Sequence, residues 1–385
     1  MPGPPTFCSR CPSWTPKRRA AGDSSLRWFP RRSRDRRRGP AAGAAAARGG
    51  GGQPGKARSR DAAQAIDVAP HSSRKEVTQF DVSVGISPRQ TFESWAAFVA
   101  ELEKDGVRRV WVIDSQLAMK DVYAGLVVAA LNTTRLGLGT GVTNAVTRHP
   151  TVTANAIAAV AEISHGRAIL GLGAGDSALY GIGLKPQKVA EVADAIGFFR
   201  SHVDRSVPIY LAVSQQRMCE LAGRVADGAI VMGPAQPDMV RRQVEWIEAG
   251  VRAAGRARAE IEIAFMATMA NAPDDVRSWA STQARLLAQF KELPESLHRF
   301  RAEIAASAES YDYTEHLSTR ASHSAAVSDE LTQVLAIVGT SEQCASRLRE
   351  LQATGVDSFI FPLAGRHRAE RWRKIREQIL DQIMV

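Results

Sequence analysis

The chain has 385 residues, 44% of them apolar, which is ample for a sizeable core, and a formal net charge of +10. The charge is localised: residues 1–75 hold fourteen Arg and three Lys against four Asp, a net +13 that leaves −3 for the remainder. A mildly acidic body argues against a nucleic-acid groove, and the lack of any run of about 18 apolar residues argues against a transmembrane helix.

Residues 1–75 are rich in Arg, Gly, Ala and Pro, as in "RRSRDRRRGPAAGAAAARGGGGQPGKARSR". Such a segment cannot bury enough apolar surface to offset its ordering entropy, so a disordered tail is expected. Three origins stay open: a start codon set too far upstream, a genuine basic tail, or an Arg-rich transit peptide. No secretory apolar segment is visible. Cys8 and Cys11 form a lone C-x-x-C, and a zinc site would need a second ligand pair at matching spacing. His71 is distant and alone, so no metal site is read. Cys219 and Cys344 fall on apolar helix faces and read as core thiols of a cytoplasmic, reducing-compartment protein.

From residue 77 the pattern is regular, and residues 76–385 read as one domain. "FDVSVGI" (80–86) is a first strand, followed by a helix over 91–104 ended by Gly106. "RRVWVID" (108–114) is strand two, with a helix over 121–132, and "RLGLGTGV" (135–142) is strand three. The next helix starts at Pro150, a favoured first position. Val152, Ala156, Val160 and Ile163 mark its apolar face, and Gly166 is its stop. "AILGLGAG" (168–175) is strand four, with a helix around 186–202. "PIYLAV" (208–213), "GAIVMG" (228–233) and "IEIAFMATM" (261–269) are strands five to seven, with helices over 216–226 and near 237–254. A longer helical region, 274–336, breaks near Pro294 and around "YDYTEHLSTRASHS". The helix after it opens with a capping box, Thr340-x-x-Gln343, and turns Cys344, Leu348 and Leu351 inward. "DSFIFPL" (357–363) is strand eight, and 367–382 a closing helix. Eight strands alternating with helices imply a parallel sheet. Their number and length favour a closed (β/α)8 TIM barrel over an open doubly wound sheet.

Two glycine clusters stand at the same depth: Gly137-x-Gly139-x-Gly141 in strand three and Gly171-x-Gly173-x-Gly175 in strand four, the latter followed by Asp176. Neither is a dinucleotide fingerprint, which needs G-x-G-x-x-G at the first βα turn and an acid at the end of the next strand. Glycine inside a strand marks close approach of a ligand or another backbone. The favoured reading is a flat ligand against bare backbone at the barrel mouth, and the alternative is relief of crowding inside the barrel. Asp176 reads equally as a site acid or as a helix N-cap, and Asp114 as a site acid or a loop carboxylate.

The stretches "VWVIDSQLAMKDVYAGLVVAA" (110–130), "RLGLGTGVTNAVTRHPTVTANAIAAVAEISHGRAILGLGAGDSAL" (135–179), "VPIYLAV", "LAGRVADGAI", "YDYTEH" and "IVGTSEQCASRLRELQATGVDSFIFPL" (337–363) resemble the bacterial-luciferase-like oxidoreductases. The similarity is greatest to the branch of methylenetetrahydromethanopterin reductases, which use the deazaflavin coenzyme F420. The resemblance implies a luciferase-like TIM barrel with a non-proline cis peptide at Gly141–Val142, behind the central ring of the cofactor. It implies Thr143 and Asn144 at the ring's edge, Gly173 and Gly175 beside it, Asp114 in cofactor contact, and Asp176 near the reacting face. Asp114 and Asp176 are the catalytic candidates. The cofactor phosphate would sit at the loop and helix start Ser214-Gln215-Gln216-Arg217-Met218, where a helix N-terminus offers unpaired N–H groups.

Three departures stand out. Ser115 replaces a frequent His, glycine is missing from the phosphate loop, and the connection "FFRSHVDRSVPIY" before strand five is short, which implies a more open site. His316 and His149 read as structural more than functional. The function implied is hydride transfer between coenzyme F420 and a small-molecule substrate by a homodimer. The rivals are an FMN-dependent monooxygenase fed by a partner flavin reductase, and a non-catalytic cofactor-binding protein.

Overall fold

A computed structural model describes residues 80–316, 318, 321–363 and 368–381. The expected disordered tail, Cys8, Cys11 and His71 lie outside the described residues. In chain order the first half runs β1 (Phe80–Val84), α1 (Phe92–Lys104), β2 (Arg109–Val112), α2 (Val122–Asn132), β3 (Gly137–Thr140), α3 (Pro150–Ile163), β4 (Ala168–Leu172), α4 (Asp176–Tyr180), α5 (Val189–His202), β5 (Ile209–Val213) and α6 (Gln216–Val225). The second half runs β6 (Gly228–Met232), α7 (Pro237–Ala253), β7 (Glu262–Met266), β8 (Met269–Ala270), α8 (Arg277–Leu287), α9 (Arg301–Glu309), α10 (Asp329–Leu335), β9 (Ile337–Val338), α11 (Ser341–Gln352), β10 (Ser358–Leu363) and α12 (Arg368–Ile375). A single π turn, Arg376–Leu380, extends α12.

The strands β1-β10-β7-β6-β5-β4-β3-β2 close into a parallel barrel, which decides against the open sheet. Local chemistry accounts for most boundaries. Thr91 and Asp121 accept N–H bonds at the starts of α1 and α2. Gly106 and Gly166 take φ of +81° and +87° after α1 and α3, a conformation nearly closed to other residues. Thr340 and Gln343 form the expected capping box of α11, and Cys344, Leu348 and Leu351 are buried beneath it.

Four details differ from the sequence expectation. The strand predicted over 261–269 splits, because β8 leaves the barrel to pair with β9. The short helix α4 precedes α5, which begins at Val189. The face of α3 is rotated: Thr153, Ala154, Ile157 and Val160 are buried, while Val152 is 55% exposed. The glycine clusters also divide. A Cβ on Gly139 would lie 2.4 Å from the Trp111 ring, on Gly137 2.6 Å from Arg109, and on Gly171 2.0 Å from the Thr140 carbonyl oxygen. These three make room for neighbouring strands and for Trp111, which fills the barrel with Ile169, Tyr210, Ile230 and Ile360. Crowding, not ligand approach, explains them.

The N-terminal end of the barrel is closed by charge. Arg109 pairs with Asp81 at 2.7 Å and with Glu262 at 2.5 Å, and Arg108 reaches the same two carboxylates. Tyr210 and Ser358 donate to Glu262, and Trp111 donates to Asp81. Burial raises the cost of the Glu262 charge, but the two guanidiniums outweigh it and hold the carboxyl at about 2. With that end sealed, the opposite mouth is the one available to a ligand.

Candidate active site

A cavity of about 900 Å³ opens at the C-terminal ends of the strands, where barrel sites are built. One wall is a bulge after β3. The Gly141–Val142 peptide is cis, as the resemblance implies. Gly141, Val142 and Asn144 line the cavity, and Gly173 and Gly175 line it from β4. A Cβ on Gly173 would lie 2.8 Å from Val142, so the wall is shaped by bare backbone here. The Asn144 side-chain oxygen accepts from Val146 and Thr147 N–H at 2.9 Å each, which leaves its NH2 end for the cavity.

Thr143 is placed behind this wall rather than on it. It is fully buried and donates to Asp114 at 2.6 Å. Asp114 also accepts from Arg148 at 2.5 Å and from Gln116 at 2.9 Å. Arg148 continues to Asp121, the cap of α2, and lies over the Tyr123 ring. Asp114 reaches the cavity, yet its oxygens are committed to holding the loops after β2 and β3 together. These bonds are those of a loop carboxylate, at a position that also lines the cavity.

The far end of the cavity is the start of α6. Ser214, Gln215, Gln216, Arg217 and Met218 all line it. Met218 and Cys219 N–H return to Gln215 O, so the N–H groups left over at this terminus are those of Gln216 and Arg217. Arg242 of α7, stacked on Trp246, also lines the cavity. Two guanidiniums and the unpaired N–H groups of a helix start make this part of the cavity electropositive.

The third wall comes from α8 and the segment after α9. Asp176 is the first residue of α4, and Gly175, at φ +97°, is the N-cap, so the capping reading of Asp176 is corrected. Asp176 instead forms a two-pronged ion pair with Arg285, at 2.5 and 3.2 Å. Arg285 is 3% exposed and lies against the Tyr311 and Tyr313 rings. Tyr311 bonds Thr282 at 3.0 Å and His316 at 2.5 Å. Burial and the neighbouring Arg285 charge push His316 down to about 4, so its ring is neutral near pH 7. Ser115 and His316 both reach the cavity. His149 caps α3, the structural role expected of it. The sequence reading missed Arg285, Arg242 and Trp279. The one available signal was a charged residue beside the buried Ala280, Ala284 and Leu287 on α8.

An eight-stranded closed parallel barrel with one cavity at the C-terminal ends of its strands is the (β/α)8 architecture on which cofactor-dependent oxidoreductases are built. The chain belongs to the luciferase-like monooxygenase family, whose sequence pattern it matches over residues 75–200 and 185–358. It is 31% identical over 283 residues to the 5,10-methylenetetrahydromethanopterin reductase of Methanolobus tindarius, covering 67% of this chain and 86% of that one. The reductase of the same name from Archaeoglobus fulgidus is 27% identical over 293 residues, 68% of this chain and 87% of that one. Among solved structures, the coenzyme F420 dependent tetrahydromethanopterin reductase from Methanopyrus kandleri superposes with a TM-score of 0.62 at 20% identity, covering 80% of this chain and 100% of that one. The monooxygenase RslO1 from Streptomyces bottropensis gives 0.54 at 18% identity, over 79% and 99%. Among the described residues no helix is long and apolar enough to cross a membrane.

Proposed function

We propose that the protein transfers hydride between coenzyme F420 and a small organic substrate at this mouth. One observation carries the reading: a single cavity joins the cis Gly141–Val142 wall to the start of α6. A flat ring with a phosphate on a short tail fits such a space, and the residues present suit both ends. Gly141, Val142, Gly173 and Gly175 would back the ring, and the Asn144 NH2 end would meet its polar edge. Ser214, Gln216, Arg217 and Arg242 would hold the phosphate. When bound, the deazaflavin supplies the hydride chemistry. The chain's own contribution is to position and enclose. Asp114 and Arg148 hold the bulge, and Asp176 with Arg285 ties α4 to α8 across one side of the mouth. The name of a further curated relative, the F420-dependent glucose-6-phosphate dehydrogenase of Kineococcus radiotolerans, 25% identical over 228 residues, favours F420 over FMN. The reading includes a homodimer and a cytoplasmic location, and needs no partner reductase.

Trp246 and Trp279 line the cavity, so tryptophan fluorescence reports on it. The full chain is titrated with F420 and with FMN separately. Reduced F420 is then offered with methylenetetrahydromethanopterin and with simple ketones. Tight binding of F420 and its oxidation by an acceptor support the proposal. Tight binding of FMN alone, with oxygen consumption once reductase is added, transfers the protein to the monooxygenase reading. Binding of neither refutes both, and binding without turnover supports a cofactor carrier.

A further inference from the structure

The geometry points to His316 as a substrate-binding residue whose Nε2–H donates to an acceptor atom beside the carbon that exchanges hydride, with Tyr311 as the positioning residue that sets its tautomer. The inference rests on the hydride-transfer reading and names the substrate class it implies: a compound with a carbonyl oxygen or imine-type nitrogen at the reacting centre.

His316 belongs to none of the ring or phosphate contacts above, yet it lines the same cavity. Its Nδ1 is engaged by the Tyr311 hydroxyl at 2.5 Å. Nε2 is left as the ring nitrogen without a bond to any described residue. A phenol is a stronger donor than a neutral imidazole N–H, and an imidazole nitrogen is a stronger acceptor than a phenol oxygen. The short bond therefore runs from Tyr311 O–H to Nδ1, and the ring's own proton sits on Nε2. Thr282, 3.0 Å from the Tyr311 oxygen, donates to it and completes the chain. Tyr311 is also held by a tilted ring contact with His323, centroids 4.1 Å apart, and by Arg285 over its face. Arg285 beside the ring disfavours a second proton on it, so His316 acts as a neutral hydrogen-bond donor and keeps its proton; the hydride passes from the reduced coenzyme to the carbon, and the proton that the oxygen or nitrogen then takes up comes from water at the open mouth.

The test has two readouts. Two-bond proton–nitrogen NMR correlation on full-length protein labelled with 15N-histidine, the signal assigned by its loss in His316→Gln, reads the tautomer without any substrate. The expected result is a neutral ring protonated on Nε2 in the wild type and a mixture of tautomers in Tyr311→Phe. A ring protonated on Nδ1, or an imidazolium at pH 7, overturns the proposal. With an acceptor that turns over, His316→Ala is expected to lower kcat/KM about tenfold, the scale of one lost hydrogen bond. His316→Gln, which restores an N–H donor, is expected to recover most of it. The F420 Kd stays unchanged in both. A raised Kd with unchanged kcat/KM at saturating F420 would make His316 a cofactor contact and sink the assignment. If F420 does not bind the wild type at all, the functional reading fails while the tautomer result still stands.

Discussion

At the scale of single residues, the glycines separate packing from binding. Gly139→Ala puts a methyl against the Trp111 ring. Overpacking of this kind costs about 1–3 kcal/mol, so thermal unfolding should fall while F420 affinity holds. Gly173→Ala places its methyl on the cavity wall beside Val142. Its expected signature is the reverse, an affinity loss larger than the stability loss, read by paired titration and melting. Asp114→Asn leaves Arg148 without its buried carboxylate. Breaking a buried pair costs about 3 kcal/mol or more, and because Asn keeps only one acceptor oxygen for Thr143, Arg148 and Gln116, cofactor affinity should fall with stability. Retained stability in Asp114→Asn would show that the bulge does not depend on this carboxylate.

At the scale of elements, the start of α6 is where charge should count. Arg217→Ala with Arg242→Ala is expected to raise the F420 Kd about tenfold or more and to flatten its dependence on ionic strength, since exposed charges are the ones salt screens. Equal salt slopes in the two proteins would remove the anion-site assignment. The capping box of α11 is a contrasting case, remote from the cavity. Thr340→Ala should cost about 1 kcal/mol of stability and leave cofactor binding alone. The elements were the most legible level. Helix starts at Asp121, Pro150 and Thr340, and stops at Gly106 and Gly166, come from residues that act on their immediate neighbours. The rotation of α3 was not legible. Thr153 and Ala154 are poor apolar markers, and their burial follows from what packs against them.

At the scale of the whole molecule, the sealed end of the barrel sets the acid limit. Glu262 has a folded value of about 2 against 4.5 for the free side chain. A depressed carboxyl contributes its stability above the unfolded value and loses it as pH falls towards the folded one. The loss therefore develops between about pH 4.5 and 2, and the shift is worth about 3 kcal/mol. The measurement is the melting temperature across that range. Glu262→Gln should be less stable at pH 7 and show a shallower acid limb. An acid limb parallel to the wild type would place the loss in other carboxylates.

The amino-acid order alone determined the alternation of eight strands with helices, the helix ends, and the depth at which both glycine clusters stand, because each depends on spacing along the chain. Family resemblance added the position of the cis peptide. Only the tertiary structure decided what those residues meet. Gly139 faces Trp111 from the neighbouring strand, Asp114 pairs with Arg148, 34 residues away, and Asp176 pairs with Arg285, 109 residues away. The role of a charged or bare position in a barrel is set by its neighbour across the sheet or the mouth. Barrel closure chooses that neighbour, and separation along the chain carries no trace of the choice.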